Sequence, residues 1–384
     1  MDAKASSRET IDRARASLVP LSHRIHAHPE LGFEEEKAAA WISEALTEGG
    51  FVVERGVYEL PTAFVARAGS GPLHLAICAE YDSLPGIGHA CGHNVIAAAA
   101  VGAGLALTKL ADDLGLTVSV VGTPAEESGG GKILLLERGA FAGMHAAMMV
   151  HPAPLDIVDP MMLAWSQFDV HYHGKEAHAS GFPELGINAL DAFTIAQTAI
   201  GLLRQHIRPT DRVHGIITKG GDAPNVVPAH TSGRFMVRAE TMAGLDDIQQ
   251  KVFRCFEAGA LATGSRLDIQ TAGPPYAEVS HDTELAAVYR RNAEQIGRFF
   301  PDLGAMARRA AGSTDMGNIS QVMPAIHPTI GLGCFPVVNH QPEFAAYCAT
   351  PVADQALMDG AVAMAWTAID LATDVELRDR LIAR

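Results

Sequence analysis

Residues 73–107 read LHLAICAEYDSLPGIGHACGHNVIAAAAVGAGLAL, and this stretch decides the fold. Residues 73–79 are almost entirely apolar, which predicts a strand buried on both faces. The link that follows carries an aspartate, a cysteine and histidines, and the Ala-rich run at 95–111 predicts a buried helix. A buried strand followed by a buried helix is typical of parallel α/β sheets, in which reactive groups collect beyond the carboxyl ends of the strands.

The segments on either side repeat this alternation. Before residue 73 the apolar patterns predict helices at 8–27 and 35–48 and a strand at 62–67, and after residue 111 they predict a strand at 116–122, a helix at 132–138 and a strand at 146–150. Such alternation favours an α/β fold with a doubly wound, mostly parallel sheet.

From about residue 164 the pattern changes to β-α-β-β-α-β, which predicts a ferredoxin-like α+β domain. Strand and helix signals typical of the first half then resume at 283–298, 325–332 and 351–373. We therefore predict a discontinuous domain, 1–163 with 274–384, interrupted by an inserted domain at 164–273.

The composition limits the possible functions. The 384 residues are 48% hydrophobic and 19% charged, enough to form a large core, and the formal charge of −15 argues against nucleic acid as a partner. The longest uncharged apolar run, 95–107, is too short to span a bilayer. The N-terminus shows no secretory signal, and five scattered cysteines indicate a reduced protein, so we expect a cytoplasmic location.

Side chains suited to metal binding or proton transfer follow several predicted strands. They are Asp82, Cys91, His93, the pair Glu126 and Glu127, His151 and His340. Because the carboxyl ends of parallel strands lie at one edge of a sheet, we expect these side chains to converge there.

The spacing predicts how two ions could be held. In an extended segment Cys91 and His93 would point the same way, and adjacent Glu126 and Glu127 would point opposite ways. If Cys91 bridges two ions, His93 and His151 complete one ligand set, while Glu127 and His340 complete the other.

Each predicted ion then has three protein ligands and an open position, which is typical of catalytic sites. A sulfur, nitrogen and oxygen donor set suits zinc. Glu126 remains as a general base, so the pattern indicates metal-assisted amide hydrolysis.

Other interpretations remain open at this level. Cys91 could be the nucleophile of a cysteine amidase with His93 as its base, although that leaves the Glu pair and His151 unexplained. The chain could also be a non-catalytic protein that binds conjugates or acts as a partner subunit. The Gly-rich segment 128–132 is not a phosphate loop, because Ile133 stands where Ser or Thr should bind magnesium.

Several motifs together resemble one protein family. They are His26-Ala-His-Pro-Glu-Leu-Gly-Phe33, Tyr81-Asp-Ser-Leu-Pro85, Gly88-His-Ala-Cys-Gly-His-Asn94, Gly122-Thr-Pro-Ala-Glu-Glu127, Gly174-Lys-Glu-Ala-His-Ala179, Ala223-Pro-Asn-Val-Val-Pro228 and Gly312-Ser-Thr-Asp-Met-Gly-Asn318. The chain resembles the co-catalytic di-metal aminoacylase/carboxypeptidase peptidases, in the amidohydrolase branch. That branch includes hippurate, indole-acetyl-amino-acid and p-aminobenzoyl-glutamate hydrolases and dipeptidases of the β-alanyl-lysine type.

The resemblance implies a metallo-amidohydrolase that cleaves an N-acyl amino acid or a dipeptide. It implies two divalent ions per chain, zinc before manganese or cobalt, with the same five ligands and with Glu126 as base. Two segments depart from the family pattern: Asn94 replaces an aspartate, and Asn339 and Gln341 flank His340 in place of the usual Leu and Ser or Asn.

The resemblance also assigns roles to the inserted domain. It implies that this domain is a lid through which two chains form a homodimer, and that His178 reaches the neighbouring subunit's site. Asn225 and Arg238 match positions that contact the substrate in relatives, and an arginine suits a carboxylate group.

Overall fold

A computed structural model describes residues 2–304 and 311–384 of the chain. The chain divides into two compact units. Unit 1 combines Met1–Met161 with Val279–Arg384, and unit 2 is the continuous segment Met162–Glu278. Each unit has a buried apolar core of its own.

The elements of the described residues are as follows. The strands are β1 (Val52–Arg55), β2 (Phe64–Ala68), β3 (Leu73–Ala79), β4 (Leu116–Gly122), β5 (Ala146–Met148), β6 (His151–Ala153), β7 (Ala164–His173), β8 (Arg212–Lys219), β9 (His230–Ala239), β10 (Arg266–Thr271), β11 (Ala325–Ile326) and β12 (Thr329–Gly331). The helices are α1 (Ala3–Ala27), α2 (Glu36–Glu48), α3 (His93–Thr108), α4 (Gly131–Glu137), α5 (Ala189–Leu203), α6 (Met242–Thr263), α7 (Thr283–Gln295), α8 (Met316–Ser320), α9 (Pro342–Tyr347), α10 (Pro351–Thr373) and α11 (Val375–Ile382).

Unit 1 is built on a six-stranded sheet with the order β1-β2-β4-β3-β5-β11. The pairs β4–β3, β3–β5 and β5–β11 are parallel, whereas β1 and β2 run antiparallel to their neighbours. The predicted mixed α/β fold with a mostly parallel sheet is confirmed. Because β3 lies in the middle of this sheet, the segment that leaves its carboxyl end begins inside the unit.

Helix α3 is the most deeply enclosed helix of unit 1, since its Ala-rich sequence lets neighbours approach closely. A Cβ atom at Gly102 would lie 2.8 Å from Cβ of Ala361 in α10, and one at Gly104 would lie 2.8 Å from a methyl group of Val120 in β4. This close packing holds α3, whose first residue is His93, against α10 and the sheet. Within the described ranges, no helix combines the length and apolar character that crossing a membrane requires.

The predicted strand at 325–332 is wrong in its extent, because the structure divides it into β11 and β12. His327-Pro328 interrupts it, since proline has no N–H to offer a neighbouring strand. The predicted strand at 146–150 likewise ends at Met148, and a new strand, β6, starts at His151 and pairs with β12. The carbonyl of Pro328 accepts the backbone N–H of His151 at 3.0 Å, which fixes the backbone of this candidate ligand.

Unit 2 has the order β7-α5-β8-β9-α6-β10, and its antiparallel sheet has the strand order β10-β7-β9-β8. Alternate residues of β7 and β9 are buried against apolar residues of α5 and α6. This arrangement is typical of ferredoxin-like folds. The other face of the sheet carries most of the polar side chains of both strands, including Arg238.

Candidate metal centre

Six candidate residues of unit 1 come together beyond the carboxyl ends of β3 and β4. Cys91 and His93 lie in the link from β3 into α3, Glu126 and Glu127 between β4 and α4, His151 at the start of β6, and His340 between β12 and α9.

Two groups of possible ligands share one sulfur atom. The ligand atoms of Cys91, His93 and His151 lie within 4.8 Å of one another, and so do those of Cys91, Glu127 and His340. Cys91 Sγ is 3.4 Å from His151 Nε2, and His340 Nε2 is 3.5 Å from Glu127 Oε2. These separations match donor atoms around a tetrahedral ion with metal–ligand distances of about 2.0–2.3 Å.

The backbone that brings Cys91 and His93 together is a turn, and the extended geometry expected from the sequence is wrong. Gly92 has a φ of +81°, in the left-handed region, and α3 begins directly after it. A Cβ atom at Gly92 would also lie 2.4 Å from Pro152 Cγ. Glycine is therefore required twice, for the φ value and for the close approach of β6.

Glu126 and Glu127 also lie in a turn, so the expectation that they point opposite ways is wrong. Ala125 has a φ of +56°, and its carbonyl accepts the N–H groups of Gly129 and Gly130. The carboxylates of Glu126 and Glu127 lie 4.0 Å and 3.7 Å from His93 Nε2. Both acidic groups therefore face the same imidazole.

Asp82 orients this imidazole. Its Oδ1 atom lies 2.9 Å from His93 Nδ1, and its Oδ2 atom accepts the backbone N–H of Glu127 at 3.0 Å. Burial opposes ionisation of Asp82, but the charge and hydrogen bond of His93 outweigh it and hold the pKa of Asp82 below its ordinary value. A ring whose Nδ1 is bonded in this way presents Nε2 to a metal ion.

His340 lies on a loop that two hydrogen bonds fix. Its backbone, with a φ of +67°, donates to the carbonyl of Ala90 at 2.8 Å. Asn339, one of the departures from the family pattern, donates from Nδ2 to the carbonyl of Pro152 at 3.1 Å. The His340 side chain is 56% exposed, so this candidate ligand is open to solvent.

In unit 2, His178 and Asn225 lie on adjoining segments. Ala179 N–H donates to the carbonyl of Asn225 at 3.0 Å, and His178 pairs with Val226. His178 Nδ1 accepts from the backbone of Gly181 at 3.1 Å, so the neutral ring carries its proton on Nε2. This exposed nitrogen is then a hydrogen-bond donor.

Arg238 lies at the other end of the same strand pair. It is paired with Trp165, whereas His173 and His230 form the pair nearest to His178. Arg238 lies eight residues after His230 in β9, a rise of about 27 Å at 3.4 Å per residue. The structure therefore brings His178 and Asn225 together but leaves Arg238 apart from them within one chain.

The sequence matches known proteins over most of its length. The sequence model of the protein family described as peptidase family M20/M25/M40 matches residues 76–361 of the chain. The chain belongs to this family. A Xaa-Arg dipeptidase of Mus musculus is 38% identical over 382 residues, covering 96% of this chain and 88% of that protein. One subunit of the p-aminobenzoyl-glutamate hydrolase of Escherichia coli is 34% identical over 281 residues, covering 68% of this chain and 58% of that protein.

Solved structures share the fold of this peptidase. An aminobenzoyl-glutamate utilization protein from Klebsiella pneumoniae matches with a TM-score of 0.70 and 20% identity, covering 91% of this chain and 96% of that one. A dinuclear metal binding peptidase from Bacillus subtilis matches with a TM-score of 0.66 and 21% identity, covering 91% and 98%. The resemblance predicted from the motifs is confirmed, and the protein is a hydrolase of amide or peptide bonds.

The structure adds residues to which the sequence analysis assigned no role. Lys132 is fully buried, with Nζ 2.5 Å from Glu80 Oε1 and 2.6 Å from Asp315 Oδ1. Glu80, His93 and Glu126 form a third group of possible ligands. The position of Glu80 just after β3 and of Asp315 within a family motif were the available signals, but nothing in the sequence pairs either with Lys132.

Asn94, the other departure from the family pattern, has a structural role. Its buried Nδ2 donates to Ser22 Oγ and to the carbonyl of Cys348, both at 2.9 Å. It joins α3 to α1 and to the segment before α10.

The site's charges fit divalent cations. Burial raises the pKa of the Cys91 thiol, and Glu127 and Glu126 raise it further. Burial, Glu80 and Glu127 likewise raise the pKa of Glu126. His93 Nε2 and Glu127 Oε1 are buried without a hydrogen-bond partner among the described residues. Cations between these donors would neutralise the negative charge and satisfy the unpaired atoms.

Proposed function

We propose that the protein is a two-metal amidohydrolase that cleaves the amide bond of an N-acyl amino acid or a dipeptide-like substrate. The observation that carries the proposal is the pair of ligand groups that share Cys91 Sγ, with the Glu126 carboxylate beside His93. Similarity to a Xaa-Arg dipeptidase, a p-aminobenzoyl-glutamate hydrolase and an IAA-amino acid hydrolase supports this substrate class.

The ions would be held by Cys91, His93 and His151 on one side and by Cys91, Glu127 and His340 on the other. The mixed donor set suits zinc best, with manganese or cobalt as alternatives. Two such ions would supply Lewis acidity and would lower the pKa of the attacking water towards neutral pH.

Glu126 is the group in this site that is left to move protons. Its carboxylate takes one proton from the attacking water as the new C–O bond forms. It then passes that proton to the nitrogen of the breaking C–N bond, so the amine leaves neutral. Burial and its acidic neighbours raise the pKa of Glu126, which makes its carboxylate a stronger proton acceptor.

The thiol chemistry of Cys91 argues against the cysteine amidase. A nucleophilic cysteine needs a lowered pKa, whereas burial and two carboxylates raise the pKa of this thiol. The imidazole nitrogen in contact with Cys91 Sγ is Nε2 of His151, at 3.4 Å, and not the base that this alternative requires.

Residues 1–163 and 274–384 would form the catalytic domain, and residues 164–273 a lid and dimerisation domain. His178, Asn225 and Arg238 would contact the substrate, with Arg238 on its carboxylate. A dipeptide is only about 7 Å long, at 3.4 Å per residue. Because about 27 Å of β9 separates Arg238 from the His178 end, one substrate needs two chains to meet all three residues, which supports a homodimer.

The five cysteines are unpaired and buried. Unpaired cysteines are typical of proteins in a reducing compartment such as the cytoplasm.

Elemental analysis of gently purified protein tests the metal proposal and should approach two ions per chain. A panel of N-acyl amino acids and dipeptides is tested for hydrolysis by the protein. Prolonged chelation should abolish this activity, and addition of zinc, manganese or cobalt should restore it. Full activity in chelated protein with no bound metal would favour the Cys91 nucleophile instead.

Subunit mixing tests the role of His178. His178→Ala and Glu126→Gln homodimers should each be nearly inactive. Statistical exchange makes half of the dimers mixed, each with one intact site, so about a quarter of wild-type activity should return. No recovery despite demonstrated exchange would place His178 in its own chain's site or outside catalysis.

A further inference from the structure

The turn that carries Glu126 is held by three buried carboxyl groups. Its backbone N–H groups at Ala125 and Glu127, together with that of Lys132 in the first turn of α4, each donate to an acidic side chain. Ala125 donates to Glu35 Oε1 at 2.8 Å, Glu127 to Asp82 Oδ2 at 3.0 Å, and Lys132 to Asp315 Oδ2 at 2.9 Å. All three acidic residues are almost completely shielded from solvent.

The three acceptors come from distant parts of the chain. Glu35 precedes α2, Asp82 follows β3 and Asp315 precedes α8. The turn is therefore fixed at its start, its middle and its end by separate elements of unit 1. Asp82 also bonds His93, but neither Glu35 nor Asp315 belongs to a candidate ligand group.

The turn needs external support because its backbone is strained. Ala125 is a non-glycine residue with a φ of +56°, a conformation that persists only where the surroundings enforce it. The surroundings are tight, since a Cβ atom at Gly32 or at Gly129 would lie 2.9 Å or 2.8 Å from Cβ of Ala125. The Glu35 bond fixes the N–H of this strained residue, immediately before Glu126.

Lys132 links the end of the turn to the metal centre. Its Nζ lies between Asp315 Oδ1 and Glu80 Oε1, and none of the three side chains is exposed. Burial opposes the charge of Lys132, but Asp315 and Glu80 outweigh it and keep its pKa well above the ordinary value. Glu80 Oε2 in turn lies 3.4 Å from His93 Nε2.

We propose that Glu35 and the Asp315–Lys132 pair are positioning residues that hold the 125–132 turn so that the Glu126 carboxylate stays within reach of the reacting groups. The inference rests on the proposed role of Glu126 as the base. Neither Glu35 nor the pair touches substrate. Their effect passes through the backbone of the turn, so it concerns turnover more than substrate affinity or metal content.

The first test compares Glu35→Gln with Glu35→Leu. Glutamine keeps an oxygen that can accept the Ala125 N–H, whereas leucine has a similar volume and no acceptor. We expect Glu35→Gln to keep kcat near wild type and Glu35→Leu to lower it by roughly 10- to 100-fold, as displacement of a catalytic group by about 1 Å does. KM and the number of bound ions should stay near wild type in both.

The second test is a double-mutant cycle with Glu126→Gln. If Glu35 and Asp315 act through Glu126, then Glu35→Leu or Asp315→Asn should lower kcat much less in the Glu126→Gln background than in the wild type. The matched control is Lys4→Met, which removes a comparably short ion pair to Asp370, 2.7 Å long, outside the turn. Its effect on kcat should be small in both backgrounds.

The positioning role would be overturned if Glu35→Leu or Asp315→Asn lowered kcat by the same factor in the Glu126→Gln background as in the wild type. Loss of bound metal in these two variants would overturn it as well. If Glu35→Leu does not fold, the Asp315→Asn cycle decides the question alone. Failure of the proposed base is distinguishable, because Glu126→Gln would then itself retain near-normal turnover.

Discussion

Polar side chains lie near both ends of β3, in the middle of the sheet of unit 1. The two ends differ in whether these side chains have hydrogen-bond partners. At the amino end, His74 Nε2 lies 2.7 Å from Ser119 Oγ, and the His74 backbone donates to His145 Nδ1 at 3.0 Å. At the carboxyl end, Glu80 Oε2 and nearby His93 Nε2 are buried without a hydrogen-bond partner among the described residues.

We interpret this difference as one between polar groups that stabilise the fold and polar groups that belong to the candidate metal centre. Buried polar atoms are normally paired, because leaving them unpaired is costly. The amino end obeys that rule with local partners. The carboxyl end departs from it where several ionisable groups converge, so we expect changes there to affect catalysis and changes at the amino end to affect stability alone.

The largest effect should come from Glu126→Gln. Glutamine preserves size and polarity but cannot take a proton, so kcat should fall by about 10²–10⁴-fold. Thermal stability and metal content should stay near wild type, measured by thermal unfolding and elemental analysis. The neighbouring Glu127→Gln is the matched comparison, because it should lose at least one ion. Equal metal loss in both variants would contradict the division of roles between the two glutamates.

Asp82→Asn should have the next largest effect. A neutral amide orients and polarises His93 less well than a carboxylate, and such outer partners of metal ligands are worth about 10–100-fold in metal affinity or activity. Competition with a coloured chelator measures the affinity directly. Unchanged affinity and kcat would show that His93 does not depend on this contact.

His74→Gln probes the amino end and should leave kcat unchanged. Burial lowers the pKa of His74 to about 4 from 6.5, so as pH falls below 6.5 the unfolded chain binds a proton that the folded chain does not. Wild-type stability should therefore fall between pH 6.5 and 4 relative to the variant, by at most about 3 kcal/mol. The prediction would be contradicted if the free energy of unfolding changed equally with pH in the wild type and in His74→Gln across this range.

Ser119→Ala should have the smallest effect. It removes the hydroxyl partner of His74, a loss of about 1 kcal/mol in unfolding free energy for a single hydrogen bond. Denaturant unfolding at pH 7 measures the loss, and hydrolysis rates should not change. A fall in kcat would show that the amino end also contributes to catalysis.

The sequence predicted the elements of unit 1 well where one pattern dominates. The apolar runs of β3 and β4 specify buried strands, and the residues that follow them specify the site's chemistry. The backbone conformation of the site's turns could not be predicted from the sequence. Extended backbone was expected at Gly92 and after Ala125, where the structure has left-handed turns, because those φ values depend on packing against Pro152 and the Gly32 segment.

The Lys132 cluster shows a second limit of sequence reasoning. Lys132 follows three glycines, a context typical of exposed loops or phosphate loops, yet it is completely buried. Its burial is possible only because Glu80 and Asp315 meet there, and Asp315 lies 183 residues further along the chain. No local pattern encodes such a pairing.

The near-complete enclosure of α3 bears on how the site is assembled. His93 is the first residue of a helix in which nearly every side chain is buried, and Gly102 fits against Leu18 and Ala361. Such a helix has no solvent-facing side to stabilise it alone, so it forms only as α1, α10 and the sheet close around it. Ions would then enter a finished protein, unlike those of zinc fingers, whose metal drives the chain to fold. Removal of the ions by chelation should abolish hydrolysis without unfolding the protein.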